Sequence, residues 1–340
     1  MSTEHDCNVV RLGPILKHEN ADTLGITNVD GRPCIVRLAD WAEGDLALYI
    51  PIDAMCPVAN PKFAFLAANH KIDAEGRARI KASRLRGVFS MGLLVKSDSD
   101  MQEGDEVREK LNIGIYEPGI AFGLSPDTER DPGFLPTYDI ESARKWSKSV
   151  FTVGEEVVLH EKIHGSNARF AWYQDRLWCA SRNRFAKPPT QGSLFSGIDV
   201  WWMLAQELDL ATKLQTVPGY AIYGEAYGPV QDLKYGLKNV KLALFDVLHI
   251  ESRRWLDYDE ALAFTKKLGL ASVPELYRGP WEEDLFKLAE GNSVQAVLNS
   301  GADHVREGWV AKPVKERFHQ GLGRVILKLH GEGYLTRKNG

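Results

Sequence analysis

The sequence has little that would tie it to a membrane, a metal scaffold or an oxidising compartment. Its four cysteines, Cys7, Cys34, Cys56 and Cys179, are scattered, with no Cys-x-x-Cys pair and no histidine cluster at ligand spacing. That spacing argues against a zinc site or a disulfide framework, and reduced thiols inside a cell are the expectation. No run approaches the ~20 apolar residues a membrane span needs, and the opening MSTEHDCNVVRLG has no apolar leader core. A cytoplasmic, monomeric protein with no membrane partner is expected. A Gly-x4-Gly-Lys-Ser/Thr motif is missing as well, which argues against a P-loop ATPase. Positive charge is not in excess either: the formal net charge is −4, so a phosphate-bearing partner would have to be met by local basic patches.

What is there is the balance of a soluble globular chain, 44% hydrophobic and 26% charged. At 340 residues two domains are expected, each long enough to bury a core. Residues 9–113 read as short strands broken by Gly, Pro and Asp, as in TLGITNVDGRPCIVRL, GDLALYIPIDAM and GVFSMGLLVK, a spacing that suggests a small β-barrel. Between 116 and 138 the composition turns to YEPGIAFGLSPDTERDPGFLP, with Pro118, Pro126, Pro132 and Pro136, which is linker chemistry. Strand and helix patterns then mix, with strands at EEVVLHEK, ARFAWY, RLWCAS, GYAIYGEAYG, KLALFDVLHI, GWVAKPV and RVILKLH. One helix is expected over IDVWWMLAQELDLATKL and another over DYDEALAFTKKLGL, the latter opened by Asp257 with Glu260 three residues on. The expected architecture is α+β: an OB-like β-barrel module over 1–115, a linker over 116–138 and a second domain over 139–340.

The stretch LHEKIHGSNARF, residues 159–170, commits Lys162 to the mouth of a buried strand, three residues ahead of Gly165. A lone Lys-x-x-Gly is weak evidence, so its company matters. Later strand ends supply Ser181-Arg182, Glu225 in IYGEAYG, Phe245-Asp246 in LALFDV, Glu307 in REGWVAKP and Lys328 in VILKLH. In the front module the densest basic run is Lys71, Arg77, Arg79, Lys81, Arg84 and Arg86, with His70 and Phe89 beside it as stacking faces, a pattern that suits tracking a nucleic-acid backbone.

In this order the motifs resemble those of the covalent nucleotidyltransferase superfamily of ATP-dependent ligases and mRNA capping enzymes: Lys162 to Gly165, Tyr223-Gly224-Glu225, Phe245-Asp246, Glu307-Gly308 with Val310 and Lys312, and Lys328. The wording EKIHGSN is similar to that of RNA ligases, and a barrel placed in front resembles the RNA ligase family often called type 5. The resemblance implies an adenylyltransferase domain of antiparallel sheets with helices, and an ATP-dependent RNA ligase that joins 3′-OH and 5′-phosphate ends of RNA or an RNA-containing nicked duplex. It implies Lys162 as the nucleophile that accepts AMP, with Lys328 on the α-phosphate. Glu225 and Glu307 would gather Mg2+ or Mn2+ through water, and Phe245 would stack on adenine. Glu161, His164, Gly165, Asn167, Arg182 and Lys312 complete the implied nucleotide-binding set. Because a free lysine, with a pKa of ~10.4, is a poor nucleophile, burial or a nearby cation such as Lys328 is expected to disfavour its ammonium. His330 stands where some RNA ligases carry a second lysine. A GTP-using capping-type guanylyltransferase and a non-catalytic RNA-binding protein on a vestigial ligase fold are the alternatives.

Overall fold

The two-residue turn Asp30-Gly31, with φ of 49° and 75°, joins strands Leu24–Val29 and Arg32–Arg37 in the left-handed geometry that matches the twist of a tight hairpin. In this computed structural model, which describes residues 5–116, 128–189 and 199–337, that hairpin pairs with Leu16–Lys17. Two further three-stranded sheets, Asn8–Arg11 with Leu46–Ile50 and Leu93–Lys96, and Gly114–Ile115 with Ala54–Pro57 and Arg77–Arg79, share one core, and the hairpin packs Val29 and Cys34 against Tyr49 in a smaller one. Alternate residues of these strands point inward, so Val9, Leu48, Ile50, Cys56, Phe63 and Ala78 meet in the interior. All four cysteines are buried and free.

Among the described residues the second unit holds two large sheets and a small two-stranded one, Phe318–His319 with Gly323–Arg324. One has seven strands, in the spatial order Thr128–Glu129, Phe185–Ala186, Arg176–Ala180, Gly165–Tyr173, Tyr220–Tyr227, Lys241–His249 and Arg254–Trp255, all antiparallel. The other has five, Glu141–Ser142, Leu327–His330, Gly308–Pro313, Glu156–Lys162 and Glu275–Pro280, antiparallel except at the Glu141–Ser142 edge. The chain leaves the five-stranded sheet at Lys162 and enters the seven-stranded one at Gly165. Lys162 therefore stands where the two sheets meet. The fold is α+β with mostly antiparallel sheets, as expected.

The segment expected as one helix is two, Val200–Glu207 and Leu210–Gln215. Asp209 between them takes a left-handed φ of 50°, which ends the first helix and turns the chain so that both bury leucines against the seven-stranded sheet. Helix Tyr258–Lys267 opens as expected, with the Glu260 carboxylate accepting the Asp257 backbone N–H at 3.0 Å. Of the expected linker, residues 117–127 lie outside the described residues; Tyr116 is held by the barrel, its N–H donating to the Asp53 carbonyl, and residues 128–138 are built into the second unit. Thr128–Glu129 extends its larger sheet, and Tyr138 packs on Phe245 with ring centroids 4.7 Å apart.

The barrel docks on the second unit through close polar contacts. A Cβ on Gly31 would lie 2.2 Å from the Arg144 carbonyl oxygen, so only glycine lets that turn approach. Lys145 pairs with Asp30 at 3.1 Å and Arg84 with Glu332 at 2.7 Å. Among the described residues no helix is long and apolar enough to cross a membrane.

Candidate active site

A cleft of about 860 Å³ opens where the two sheets and the barrel converge. Lys162, Glu225, Glu307, Phe245, Lys312 and Lys328 line it, as do Glu161, His164, Gly165, Asn167 and Arg182. These residues, drawn from all the sequence motifs, are thus brought to one cavity, as are Val310 and His330, whereas Tyr223 and Asp246 are buried behind its wall and Ser181, Gly224 and Gly308 do not line it.

The Lys162 ammonium is 2.7 Å from Glu307 Oε1, with the lysine 23% and the glutamate 6% exposed. Sequence reasoning expected surroundings that disfavour the ammonium; its nearest partner is instead a carboxylate, which favours it. Burial alone would raise the Glu307 carboxyl, but Lys162, then His330 and His164, outweigh it and hold it well below the usual range. Its other oxygen, Oε2, is buried without a hydrogen bond. Glu225 behaves in the opposite way: burial pushes it up to about 8, with Lys162 opposing the rise and the Glu307 charge adding to it. The two neighbouring carboxylates cannot comfortably ionise together.

Two motif glycines exist because backbones must touch here. A Cβ on Gly165 would sit 2.3 Å from the Ala226 carbonyl oxygen and 2.9 Å from Glu225 Cγ, so this glycine brings the Glu225 strand against the turn after Lys162. Gly308, at φ 150°, lies where a Cβ would be 1.9 Å from the Leu329 carbonyl oxygen, and its absence lets the strand after Glu307 approach the strand that carries Lys328.

Phe245 is half-buried on the cleft wall. Lys312 is 1% exposed and held by Asp246 at 2.9 Å, within a buried network in which Arg324 also reaches Asp246, at 2.6 Å, and Tyr138 donates to it at 2.5 Å. Burial opposes ionisation of Asp246, yet Arg324 and Lys312 keep it charged. Arg182 pairs with Asp139 at the rim. Asn167 has a buried carbonyl oxygen without a partner. Glu161 Oε2 accepts the Gln295 backbone N–H at 2.9 Å at the start of helix Val294–Ser300, while its Oε1 is buried without a hydrogen bond. His164 has both ring nitrogens engaged, Nε2 by Asp232 at 2.6 Å and Nδ1 by Tyr334 at 2.9 Å, and burial pushes its pKa down.

Sequence reasoning missed Asp232, Tyr235, Tyr334 and Arg337 around that turn, and Tyr138 and Asp139 on the far wall. They come from loops and the C-terminal segment, and no local pattern marks them. The basic run also divides. Arg79 and Lys81 line the same cleft as Lys162, Arg79 lying 3.6 Å over the Tyr116 ring. Arg77 is occupied by Asn112 at 3.2 Å and Arg84 by Glu332. Arg86 donates to the Asn20 carbonyl at 3.3 Å, and Lys71 is exposed. His70 is exposed, but Phe89 is only 5% exposed and offers no stacking face, because it points into the barrel's side of the interface beneath Arg84 and Arg144.

Comparison with known proteins agrees with this architecture. The RNA ligase family matches residues 155–330 and an OB-fold domain matches residues 7–96. Among solved structures, a single-alanine mutant of Naegleria gruberi RNA ligase with ATP and Mn is 24% identical over 97% of this chain and 98% of that one, with a TM-score of 0.83. The same ligase with PPi is 23% identical over 97% and 98%, with a TM-score of 0.82. Another mutant, with AMP and Mn, is 22% identical over 97% and 98%, with a TM-score of 0.81. No curated protein sequence matches. With the family match running from the strand before Lys162 to the end of the strand of Lys328, the chain belongs to the RNA ligase family.

Proposed function

We propose that this protein is an ATP-dependent RNA ligase that seals 3′-OH and 5′-phosphate ends, as at a nick in an RNA-containing duplex. The observation that carries the reading is Lys162 at the sheet junction, ion-paired to Glu307 in a cleft that also presents Phe245 and Lys328. Neighbours that hold ATP, AMP or PPi on the same fold support the choice of nucleotide.

In the first step the Lys162 amine, once deprotonated, attacks the α-phosphorus of ATP; a P–N bond forms, the P–O bond to the β-phosphate breaks and pyrophosphate leaves. Lys328 balances charge on the α-phosphate, and Phe245 offers a ring face to the adenine. AMP then passes to the 5′-phosphate, and the 3′-OH displaces it to leave a phosphodiester.

Glu225 and Glu307 fit a divalent cation: Glu307 Oε2 is a buried oxygen without a hydrogen bond, and the pair shares more negative charge than its surroundings favour. Among the described residues no group of three or more His, Cys, Asp or Glu could hold a metal, so the two carboxylates would hold Mg2+ or Mn2+ with water and phosphate oxygens completing the shell. Such an ion would supply charge neutralisation at the phosphates.

Incubation with α-labelled ATP and Mg2+ or Mn2+, then denaturing electrophoresis, tests the reading. A labelled band lost in Lys162→Ala supports it. Labelling by GTP but not ATP would instead indicate a capping-type guanylyltransferase, and no labelling would indicate a vestigial fold.

A further inference from the structure

Arg169, which no sequence motif uses, stands in the middle of strand Gly165–Tyr173 and is 2% exposed, with Ala180 opposite it on one neighbouring strand and Tyr223 on the other. Its guanidinium is shared between two segments. Nε donates to the Ser181 carbonyl at 2.8 Å and Nη2 to the Arg182 carbonyl at 3.1 Å, while Nη1 donates to the Leu135 carbonyl at 2.8 Å and the Pro136 carbonyl at 3.3 Å. The Tyr223 hydroxyl accepts from the same guanidinium and gives its one proton to the Pro136 carbonyl at 3.1 Å. The Phe185 ring lies 5.1 Å from the guanidinium carbon.

Both segments build the cleft. Thr137, Tyr138 and Asp139 follow directly from the first, Arg182 belongs to the second, and all four line the cavity with Phe245. The Tyr138 ring packs on Phe245, centroids 4.7 Å apart, its hydroxyl donates to Asp246 at 2.5 Å, and Asp139 pairs with Arg182. Residues 135–140 belong to no helix or strand, so their carbonyls depend on side-chain donors to be fixed. Five N–H donors in a planar fork serve several carbonyls at once, whereas a lysine offers three donors from a single point.

We infer that Arg169 is a positioning residue for ATP: by holding residues 135–136 and 181–182 on one guanidinium, it preforms the wall that sets Tyr138, Asp139 and Arg182 beside Phe245. This rests on the reading of the cleft as an ATP site with Phe245 against the adenine, so nucleotide binding is measured apart from AMP transfer.

Two measurements on the full chain test it. The first is calorimetric titration with α,β-methylene ATP and Mg2+, an analogue whose carbon bridge prevents pyrophosphate from leaving. The second is single-turnover labelling with ATP. In Arg169→Lys the wall must be ordered anew by the ligand, so the analogue should bind about 10-fold more weakly, the scale for immobilising two or three side chains on binding. The ATP concentration for half-maximal AMP transfer should rise by the same factor, with the rate at saturating ATP within about 2-fold of wild type, as for loss of an interaction made equally before and during reaction. Tyr223→Phe, which removes only the second donor to the Pro136 carbonyl, should shift both values in the same direction by about 3-fold, and it carries the test if Arg169→Lys does not fold. A merely structural role would lower the thermal midpoint and leave the affinity of the folded protein unchanged. Wild-type affinity in the folded variants, or a slower maximal rate at unchanged affinity, would overturn the inference while the ATP reading stands. Wild-type protein that binds no analogue and accepts no AMP would refute the ATP reading and the inference with it.

Discussion

Lys162 Nζ and Glu307 Oε1 lie 2.7 Å apart, 145 residues distant in sequence, and the pair stands largely out of water. Lys162 is the foremost of the charges that compensate Glu307, with His330 and His164 behind it, so removing the lysine leaves a buried carboxylate with weaker compensation. On the proposed function, a cation bound at the two glutamates would compete with Lys162 for Glu307 and so would couple the lysine to metal binding.

The first prediction follows from that coupling. Glu307→Gln and Glu225→Gln should each lower AMP transfer to Lys162 by ~100-fold or more, the scale for losing a strong electrostatic stabiliser, and Lys162→Arg should abolish it. Gel quantification of labelled protein checks this; wild-type rates in both glutamine variants would make the acids bystanders.

The second concerns pH and stability. Burial, aided by the nearby Lys312 charge, pushes the His160 imidazole from 6.5 down to about 3. The unfolded chain therefore takes up this proton first as pH falls. The stability His160 contributes is complete above about 6.5 and is lost progressively as pH falls toward 3. Thermal midpoints of wild type and His160→Gln should converge as pH drops from 7 to 4; parallel curves would show that His160 is not the group responsible.

Much of this arrangement was legible in the sequence where its cause is local. Alternation placed the strands that carry Lys162, Glu225, Phe245 and Lys328, and the strand that begins just after Glu307. Contacts across long sequence distances left no such trace. Tyr334 reaches His164 over 170 positions and Arg84 reaches Glu332 over 248, and neither pair shares a periodicity. The turn at Asp209 was hidden because LAQELDLATKL keeps helical spacing through it, and one left-handed residue overrides that pattern. Glu161 illustrates the limit within a motif: its neighbour Lys162 is close by in sequence, but the contact of one carboxylate oxygen with the Gln295 N–H, 134 residues on, left no local signal.

A third prediction tests the close approach at Gly165. An alanine methyl would need the Ala226 carbonyl oxygen, 2.3 Å away, to retreat with its strand, and overpacking of this kind costs roughly 1–3 kcal/mol. Gly165→Ala should lower the thermal midpoint by about 2–10 °C and move Glu225 away from Lys162, so AMP transfer should fall too. Unchanged midpoint and rate would show that the strands can part freely.

The fourth separates the members of the basic run. Arg79 and Lys81 line the cleft, whereas Arg77 is tied to Asn112 and Arg86 to Asn20. Arg79→Ala and Lys81→Ala should weaken binding of a nicked duplex, each flattening its dependence on log salt by about one unit, and should slow AMP transfer, since they face the cavity of Lys162. Arg77→Ala and Arg86→Ala should leave both nearly unchanged. Equal losses across all four would mean that the run acts as a diffuse field.

The fifth concerns which strand end the cleft reads. In sealing, the attacking 3′-OH belongs to a nucleotide whose sugar pucker sets the line of attack, and a 2′-OH both adds a hydrogen-bonding group and favours A-form geometry. Misplacement of a reacting atom by ~1 Å can remove ~100-fold in rate, so the sugar on the 3′-OH side should matter strongly. The 5′ side presents chiefly its phosphate to the AMP, and on the proposed function Lys328 and the two glutamates would act there on charge rather than on sugar shape. Nicks with ribonucleotides at the 3′-OH end should therefore be sealed whether the 5′-phosphate strand is RNA or DNA, and a DNA 3′-OH strand should be sealed poorly. Four nicked duplexes that differ only in the sugars flanking the nick decide the matter by the yield of joined strand. Equal sealing from a DNA 3′-OH would mean that the cleft places the attacking oxygen without reference to its sugar.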